Sequence, residues 1–188
     1  MKKLFCILAL AIGFQAHAMD VAQVAVAVNS SPAMQVARLL ALDWKVGDQA
    51  SYSLKMSMVN GTMLMNVREI TAEGIWLDQD VDLGPFGKQE SDLLVDQETG
   101  EVKKILVNGQ EQQIPENNSE IVEAKDDRIT VPAGTFDCIY AKIKDTKTQE
   151  ITEAWINPEL IPVSGMLKTI QPSQMGNVTL ELTSFVKN

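Results

Sequence analysis

Apolar and polar residues alternate along most of this chain, and turn-forming residues interrupt the alternation at short intervals. The segment from Gly47 onward, GDQASYSLKMSMVNGTMLMNVREI, shows the pattern clearly, because every second residue from Ala50 to Met58 is apolar. A period of two residues is that of a β-strand with one buried face. The pair Asn60-Gly61 predicts a two-residue hairpin turn, with a second strand over about 62–70.

The same pattern continues to the C-terminus and predicts about ten strands. Asn108-Gly109 and Pro132-Ala133-Gly134 are typical turn sequences, whereas the polar segment 116–127, ENNSEIVEAKDD, is interpreted as a connection. Strands joined by short turns pair antiparallel. The sequence therefore predicts an all-β domain over 44–188, with an antiparallel, strongly curved sheet that forms a half-barrel or open barrel.

The N-terminal region differs from the rest. Residues 1–18, MKKLFCILALAIGFQAHA, have the basic start, the apolar run and the small-residue end of a secretory signal peptide cleaved after Ala18. The apolar run is too short to span a membrane. Residues 19–43 are interpreted as a lead-in followed by one short helix over 32–42, which begins at Ser31-Pro32 and is expected to lie on the apolar face of the sheet. We expect a periplasmic or secreted protein without a transmembrane segment after cleavage.

Charge and composition exclude several function classes. The formal charge of −9 becomes −11 without the two lysines of the leader, and so acidic a chain is not expected to bind nucleic acid. Cleavage also removes His17, the only histidine, and Cys6, one of two cysteines. A mature chain without histidine lacks the usual proton shuttle and the usual zinc ligand. We therefore expect no enzyme activity, no catalytic residues, no metal and no cofactor.

Two other sets of residues have a structural and a chemical interpretation. Cys138 alternates with Phe136 and Tyr140, which predicts a packed thiol more than a redox or intermolecular one. Asp78, Asp80 and Asp82 share one strand face, but the spacing of glycine and glutamate needed for a calcium loop is missing, so a solvated acidic face is predicted.

Carboxylates and tryptophans give no stronger signal. Asp137 and Glu153 on neighbouring predicted strands form a weak candidate pair for glycosidase-type chemistry. Trp44, Trp76 and Trp155 are interpreted as packing anchors.

Methionines are concentrated around the first predicted hairpin. Their flexible thioethers suit a tightly filled core, an acyl-type ligand or, less well, a copper ion. The predicted apolar lining of a binding trough consists of Leu39, Leu42, Tyr52, Leu54, Met56, Met58, Met63 and Met65.

Several segments resemble a known group of proteins. The segments WKVGDQASYSLKM, DQETGEVKKILVNGQ, VPAGTFDCIYAKI and EAWINPELIPVSGMLK are similar to bacterial exported domains of unknown function with a lipoprotein-carrier-like (LolA/LolB-like) half-barrel. The resemblance covers most of 44–186, and its motifs mark strand entry and strand exit. It implies that the apolar face covers acyl chains.

Two functions follow as expectations. The first is a non-catalytic envelope domain that binds or shields an apolar partner, either a lipid or an acylated protein. The alternative is a structural or interaction accessory protein of the envelope, whose core is filled by its own side chains and whose partner is another envelope protein.

Overall fold

The computed structural model describes residues 43–114, 118–173 and 176–188. Within these ranges the chain forms eleven strands and one short 3-10 turn, and all strand pairs are antiparallel. The strands are β1 (Gln49–Met56), β2 (Val59–Thr71), β3 (Gly74–Asp82), β4 (Lys88–Val95), β5 (Val102–Val107), β6 (Gln110–Gln112), β7 (Ser119–Val131), β8 (Gly134–Asp145), β9 (Ile151–Ile156), β10 (Met166–Gln171) and β11 (Val178–Val186). The predicted all-β, antiparallel open sheet is confirmed. The predicted helix over 32–42 lies outside the described residues.

All eleven strands belong to one sheet, in the order β6-β5-β4-β3-β2-β1-β11-β10-β9-β8-β7. The first and the last of the described strands therefore pair at the centre, from Gln49 opposite Val186 to Met56 opposite Val178. Each half of the chain then adds strands outward in a meander, so β6 and β7 lie at opposite edges.

Chain connectivity requires this sheet to bend. Eleven strands at a spacing of about 4.8 Å would span roughly 48 Å if flat, yet only seven residue steps join Gln112 at one edge to Ser119 at the other. Such a connection reaches at most about 25 Å. The bend is also visible where the amide of Ala133, in the β7–β8 turn, donates to the carbonyl oxygen of Leu182 on β11 at 3.0 Å.

The structure corrects two predictions about local elements. The first hairpin turns at Ser57 and Met58, because Met56 pairs with Val59, and Asn60-Gly61 lies inside β2. The segment interpreted as a polar connection forms most of β7, a strand of 13 residues. In contrast, the Asn108-Gly109 turn is confirmed, with positive φ at both residues.

The core occupies the apolar face of the bent sheet. Buried side chains from β1 to β4 and from β10 and β11 form one cluster, joined by Val131 and Cys138 from the β7–β8 hairpin. The opposite face, which we call the polar face, carries the charged and hydroxyl residues of the same strands.

Candidate functional site

Five of the predicted lining residues meet in one place, which we call the trough. Tyr52, Leu54, Met56, Met63 and Met65 belong to the main core cluster, and their exposed fractions are only 0–2%. Register explains the convergence, because Tyr52 lies directly opposite Met63, and Ala50 lies directly opposite Met65.

The other three predicted lining residues do not join this cluster in the described structure. Met58 is 96% exposed, because the turn comes earlier than predicted and the strand alternation ends at Met56. Leu39 and Leu42 lie outside the described residues.

The connection from β9 to β10, residues 157–165, packs against the trough. We call it the β9–β10 loop. Its side chains Ile161 and Val163 are fully buried and belong to the same cluster as the trough residues. Asn157 anchors the loop, because its amide donates to the Gly165 carbonyl at 2.7 Å and its side-chain oxygen accepts from the Leu160 amide at 3.0 Å.

A buried hydrogen-bond network fixes the loop to the floor of the trough. The Tyr52 hydroxyl contacts the Ser164 hydroxyl and lies 3.1 Å from the Met166 carbonyl oxygen, while the Met166 amide donates to Ser164 Oγ at 3.2 Å. One proton assignment satisfies all three contacts: Ser164 donates to Tyr52, and Tyr52 donates to Met166. Burial raises the pKa of the Tyr52 phenol far above its ordinary value, with the Ser164 contact opposing.

The loop also carries backbone strain. Val163 has φ +68°, a left-handed conformation that is unfavourable for a β-branched residue. Such conformations cost on the order of 1–3 kcal/mol and persist only where surrounding contacts enforce them. Burial of the Val163 side chain and the anchors of the loop provide that enforcement.

The polar face carries carboxylates in cross-strand rows. Asp78, Asp80 and Asp82 share this face, as predicted, and Asp78 lies directly opposite Asp92. Arg68 bridges that pair, with Nη1 at 2.7 Å from Asp78 and 3.0 Å from Asp92. Partial burial raises the pKa of Asp78, with Arg68 opposing and Asp92 adding to the rise.

A cavity of about 520 Å³ opens next to these rows. Its lining includes Ser51, Thr62, Asp80, Asp82, Lys88 and Glu90. The acidic side chains outnumber the basic one, and Lys88 is itself paired with Asp82 at 2.8 Å. In the described ranges, no group of three acidic, histidine or cysteine residues is arranged to hold a metal ion.

Cys138 belongs to the main core cluster and is 9% exposed, and Asp127 lies opposite it on β7. Burial raises the pKa of its thiol, and the nearby Asp127 carboxylate adds to the rise. Because the thiolate is the reactive form, the structure agrees with the prediction of a packed thiol.

The remaining candidates are dispersed. Asp137 pairs in register with Arg128, whereas Glu153 lies opposite Lys142. Five residue steps along β8, roughly 17 Å, therefore separate Asp137 from the position opposite Glu153, which is too far for paired acid chemistry.

Each of the three tryptophans is held by packing or by a contact with another side chain of the chain. Trp44 is buried in the core, Trp76 lies under the Arg68 guanidinium at 5.3 Å, and Trp155 donates to Asp127 Oδ2 at 2.9 Å. These contacts agree with the prediction of packing anchors.

Sequence patterns did not reveal two features of the trough. The β9–β10 loop was visible only as apolar residues within the turn-rich segment NPELIPVSG, which no strand or helix period explains. Gln79 and Ser91 occupy apolar-face positions of β3 and β4 and are buried. Each could have been noticed in the sequence as a polar residue at a position where the alternation of its strand calls for an apolar one.

No protein-family model matches the chain, and no curated protein matches it. In the described residues, no helix is long and apolar enough to cross a membrane.

Solved structures with a similar fold include an exported protein with a YmcC-like fold from Bacteroides fragilis, at 10% identity and TM-score 0.41, over 77% of this chain and 97% of that one. MucB in the MucA/MucB complex of Pseudomonas aeruginosa is 12% identical with TM-score 0.47, over 82% of this chain and 56% of MucB. The hypothetical protein CT021 of Chlamydia trachomatis is 13% identical with TM-score 0.43, over 82% of this chain and 92% of that one. This chain thus spans little more than half the length of MucB. The likeness concerns the fold, and the roles of the residues follow from their own contacts.

Proposed function

We propose that this chain is an exported, non-catalytic domain of the cell envelope that acts by contacting another protein, with a trough that is filled by its own side chains. The observation that carries this proposal is the near-complete burial of the five trough residues together with Ile161 and Val163. The β9–β10 loop contributes these two side chains to the same buried cluster, which supports a trough that the protein fills itself.

Energetics support a closed trough. Exposing a fully buried aliphatic side chain costs about 1.5–3 kcal/mol, and Ile161 and Val163 would both be exposed if the loop left. The hydrogen bonds of Tyr52 to Ser164 and Met166 would also have to be replaced. An apolar ligand would have to offset these costs before it gained any affinity.

The leader and the ligand can be tested on the same protein. The full chain is expressed in a bacterial host, recovered from the periplasmic fraction and measured by native and denaturing mass spectrometry. We expect a mature protein that begins at Met19, with no additional mass under native conditions and no acyl compounds in an organic extract. One acyl molecule per chain would contradict the closed trough, and an uncleaved leader would contradict export.

A second function is supported by the strain at Val163. A left-handed valine stores free energy that loop displacement would release, and the thioethers of Met56, Met63 and Met65 could adapt to an alkyl chain. In that case the chain shields a lipid or an acylated protein. Titration with a fluorescent fatty-acid analogue tests this second function, because saturable binding at one site per chain supports it and the absence of saturation contradicts it.

A further inference from the structure

Two polar side chains face each other on the apolar side of the sheet. Gln79 on β3 lies directly opposite Ser91 on β4, and their exposed fractions are 0% and 3%. In the described residues, three buried side-chain atoms have no hydrogen-bond partner: Gln79 Oε1, Ser91 Oγ and Trp44 Nε1. Two of the three therefore belong to this one pair. Within the described part of the chain, the only hydrogen bond of the Gln79 side-chain nitrogen is to Met63 Sδ at 3.0 Å, and a thioether is a weak acceptor.

Neighbouring strands offer these two oxygens nothing polar in register. Met65 lies opposite Gln79 on β2, and Val107 lies opposite Ser91 on β5. A buried polar atom without a hydrogen bond lowers the stability of the fold by about 1–3 kcal/mol. Two such atoms on one cross-strand pair, which we call the Gln79–Ser91 rung, therefore need a common explanation. Directly opposite side chains on the same face have Cβ atoms about 4.5–5.5 Å apart, so one small group can contact both.

We propose that the Gln79–Ser91 rung is a binding site for one hydroxyl group. The hydroxyl donates to Gln79 Oε1, which can only accept, and accepts from Ser91 Oγ, which can donate. The group comes from a buried water or from a hydroxylated alkyl ligand in the trough. The site does not depend on the proposed function, since a water fills it when the trough is closed.

Urea unfolding of the full mature chain tests the site, because the proposal predicts whether each substitution lowers or raises the unfolding midpoint. We expect Gln79→Leu and Ser91→Ala each to lower the unfolding midpoint, because each strands the other oxygen. We expect the double variant to lower the midpoint by less than the sum. If the oxygens bind no group, removing either one raises the midpoint, and the proposal is overturned.

Gln89→Leu is the matched control. Gln89 is buried on the same face, two residues from Ser91, and its amide donates to Asn108 Oδ1 at 3.0 Å and to the Glu90 carbonyl at 2.8 Å. This variant lowers the midpoint in either case and shows the effect of losing a satisfied amide. Ser91→Ala removes a single oxygen, so it keeps the test available if Gln79→Leu does not fold.

A high-resolution crystal structure and native mass spectrometry identify the source of the hydroxyl. An isolated density peak within about 3.2 Å of both oxygens, without additional mass, identifies water. Density that continues into an alkyl chain, with a matching additional mass, identifies a ligand. A direct hydrogen bond between Gln79 and Ser91, or no density between them, overturns the proposal.

Discussion

Tyr52 shows how a residue acquires its role from what covers it. In the sequence it is one apolar-phase residue of a strand, whereas in the structure its hydroxyl joins β1 to the β9–β10 loop through Ser164 and Met166. The side chain is 1% exposed, so its proton is held in a site that disfavours the phenolate.

Removal of the Tyr52 hydroxyl should change both stability and its pH dependence. The phenol ionises near pH 10.0 in the unfolded chain and only at higher pH in the folded one. Above pH 10 the folded state therefore binds more protons, so the stability that Tyr52 contributes is complete below pH 10 and is lost as pH rises, at about 1.4 kcal/mol per pH unit.

We expect Tyr52→Phe to lower the free energy of unfolding by about 1–3 kcal/mol at pH 7, because Ser164 loses a buried partner. We also expect a shallower loss of stability above pH 10 than in the wild type. Urea unfolding from pH 7 to 11 measures both effects. Lysines also titrate in this range, but they do so equally in the wild type and in the variant. If the stabilities of the two proteins fall in parallel as the pH rises, the role assigned to Tyr52 is contradicted.

Gly61 has a different reason to be glycine than the sequence suggested. The prediction placed it in a turn, but it lies inside β2, and a Cβ there would come within 2.5 Å of the Asp82 carbonyl oxygen and 2.8 Å of Leu83 Cδ2. The requirement is space beside β3 and not a left-handed backbone.

Alanine substitution separates these two explanations. We expect Gly61→Ala to destabilise by roughly 1–3 kcal/mol, as overpacking usually does, and the neighbouring Asn60→Ala to change stability by less than about 0.5 kcal/mol. Thermal unfolding compares the two variants. Equal losses at both positions would instead indicate a turn at Asn60-Gly61.

Among the strands, β7 shows why an edge strand can be mistaken for a loop in the sequence. It lies at an edge of the sheet and is exposed along most of its length, so no burial imposes alternation on it. Its charges and the irregularity between Ile121 and Glu123 are features by which proteins prevent edge strands from pairing with other chains. Glu123, for example, forms ion pairs with Lys125 at 3.0 Å and Lys142 at 2.9 Å.

Loss of charge on β7 should cause self-association. The double variant Glu123→Val, Lys125→Val places valines beside the half-exposed Ile121 and Val122, which creates an uncharged window on an open edge. We expect larger species that increase with protein concentration in size-exclusion chromatography with light scattering, and little change in stability, because exposed ion pairs contribute little.

The control for this prediction is Lys55→Val on β1. That strand is paired on both sides, with β2 and β11, so an added valine meets no open edge. If the β7 variant and this control elute alike at every concentration, the charges of β7 do not protect the edge.

At the scale of the whole molecule, curvature and closure come from contacts between distant parts of the chain. Pairing of β1 with β11 places the two halves side by side, and the short connection from β6 to β7 brings the outer edges toward each other. The β9–β10 loop then occupies the apolar face between the halves.

The importance of that loop can be measured with two neighbouring residues. Ile161 is fully buried, whereas Leu160 is 42% exposed. We expect Ile161→Ala to destabilise by about 2–5 kcal/mol and Leu160→Ala by less than about 1 kcal/mol. Urea unfolding gives both values, and similar losses would show that the loop does not close the trough.

An all-β chain with antiparallel pairing could be predicted from local patterns, since a period of two and short turns are local properties of the backbone. Alternation within each strand and the register of β1 with β2 place Tyr52, Leu54, Met56, Met63 and Met65 in one buried cluster, whereas Met58, predicted for the same face, is exposed. The role of these residues as a ligand lining stays a prediction. Alternation could not predict β7, because neither face of that strand is buried. The Asn60-Gly61 pair predicted a turn wrongly, because Gly61 is needed for close packing against the backbone beside it.

In contrast, contacts between distant parts of the chain determine which residues pack on the apolar face and which strands form the edges. Many segments of this chain are apolar enough to lie in the trough, so hydrophobicity could not select Ile161 and Val163 in advance. The selection depends on the reach of the β9–β10 loop from the end of β9 and on the hydrogen bonds that Ser164 makes with Tyr52, more than one hundred residues away in sequence. Such long-range contacts form only when β1, β10 and β11 lie together, which no local pattern encodes.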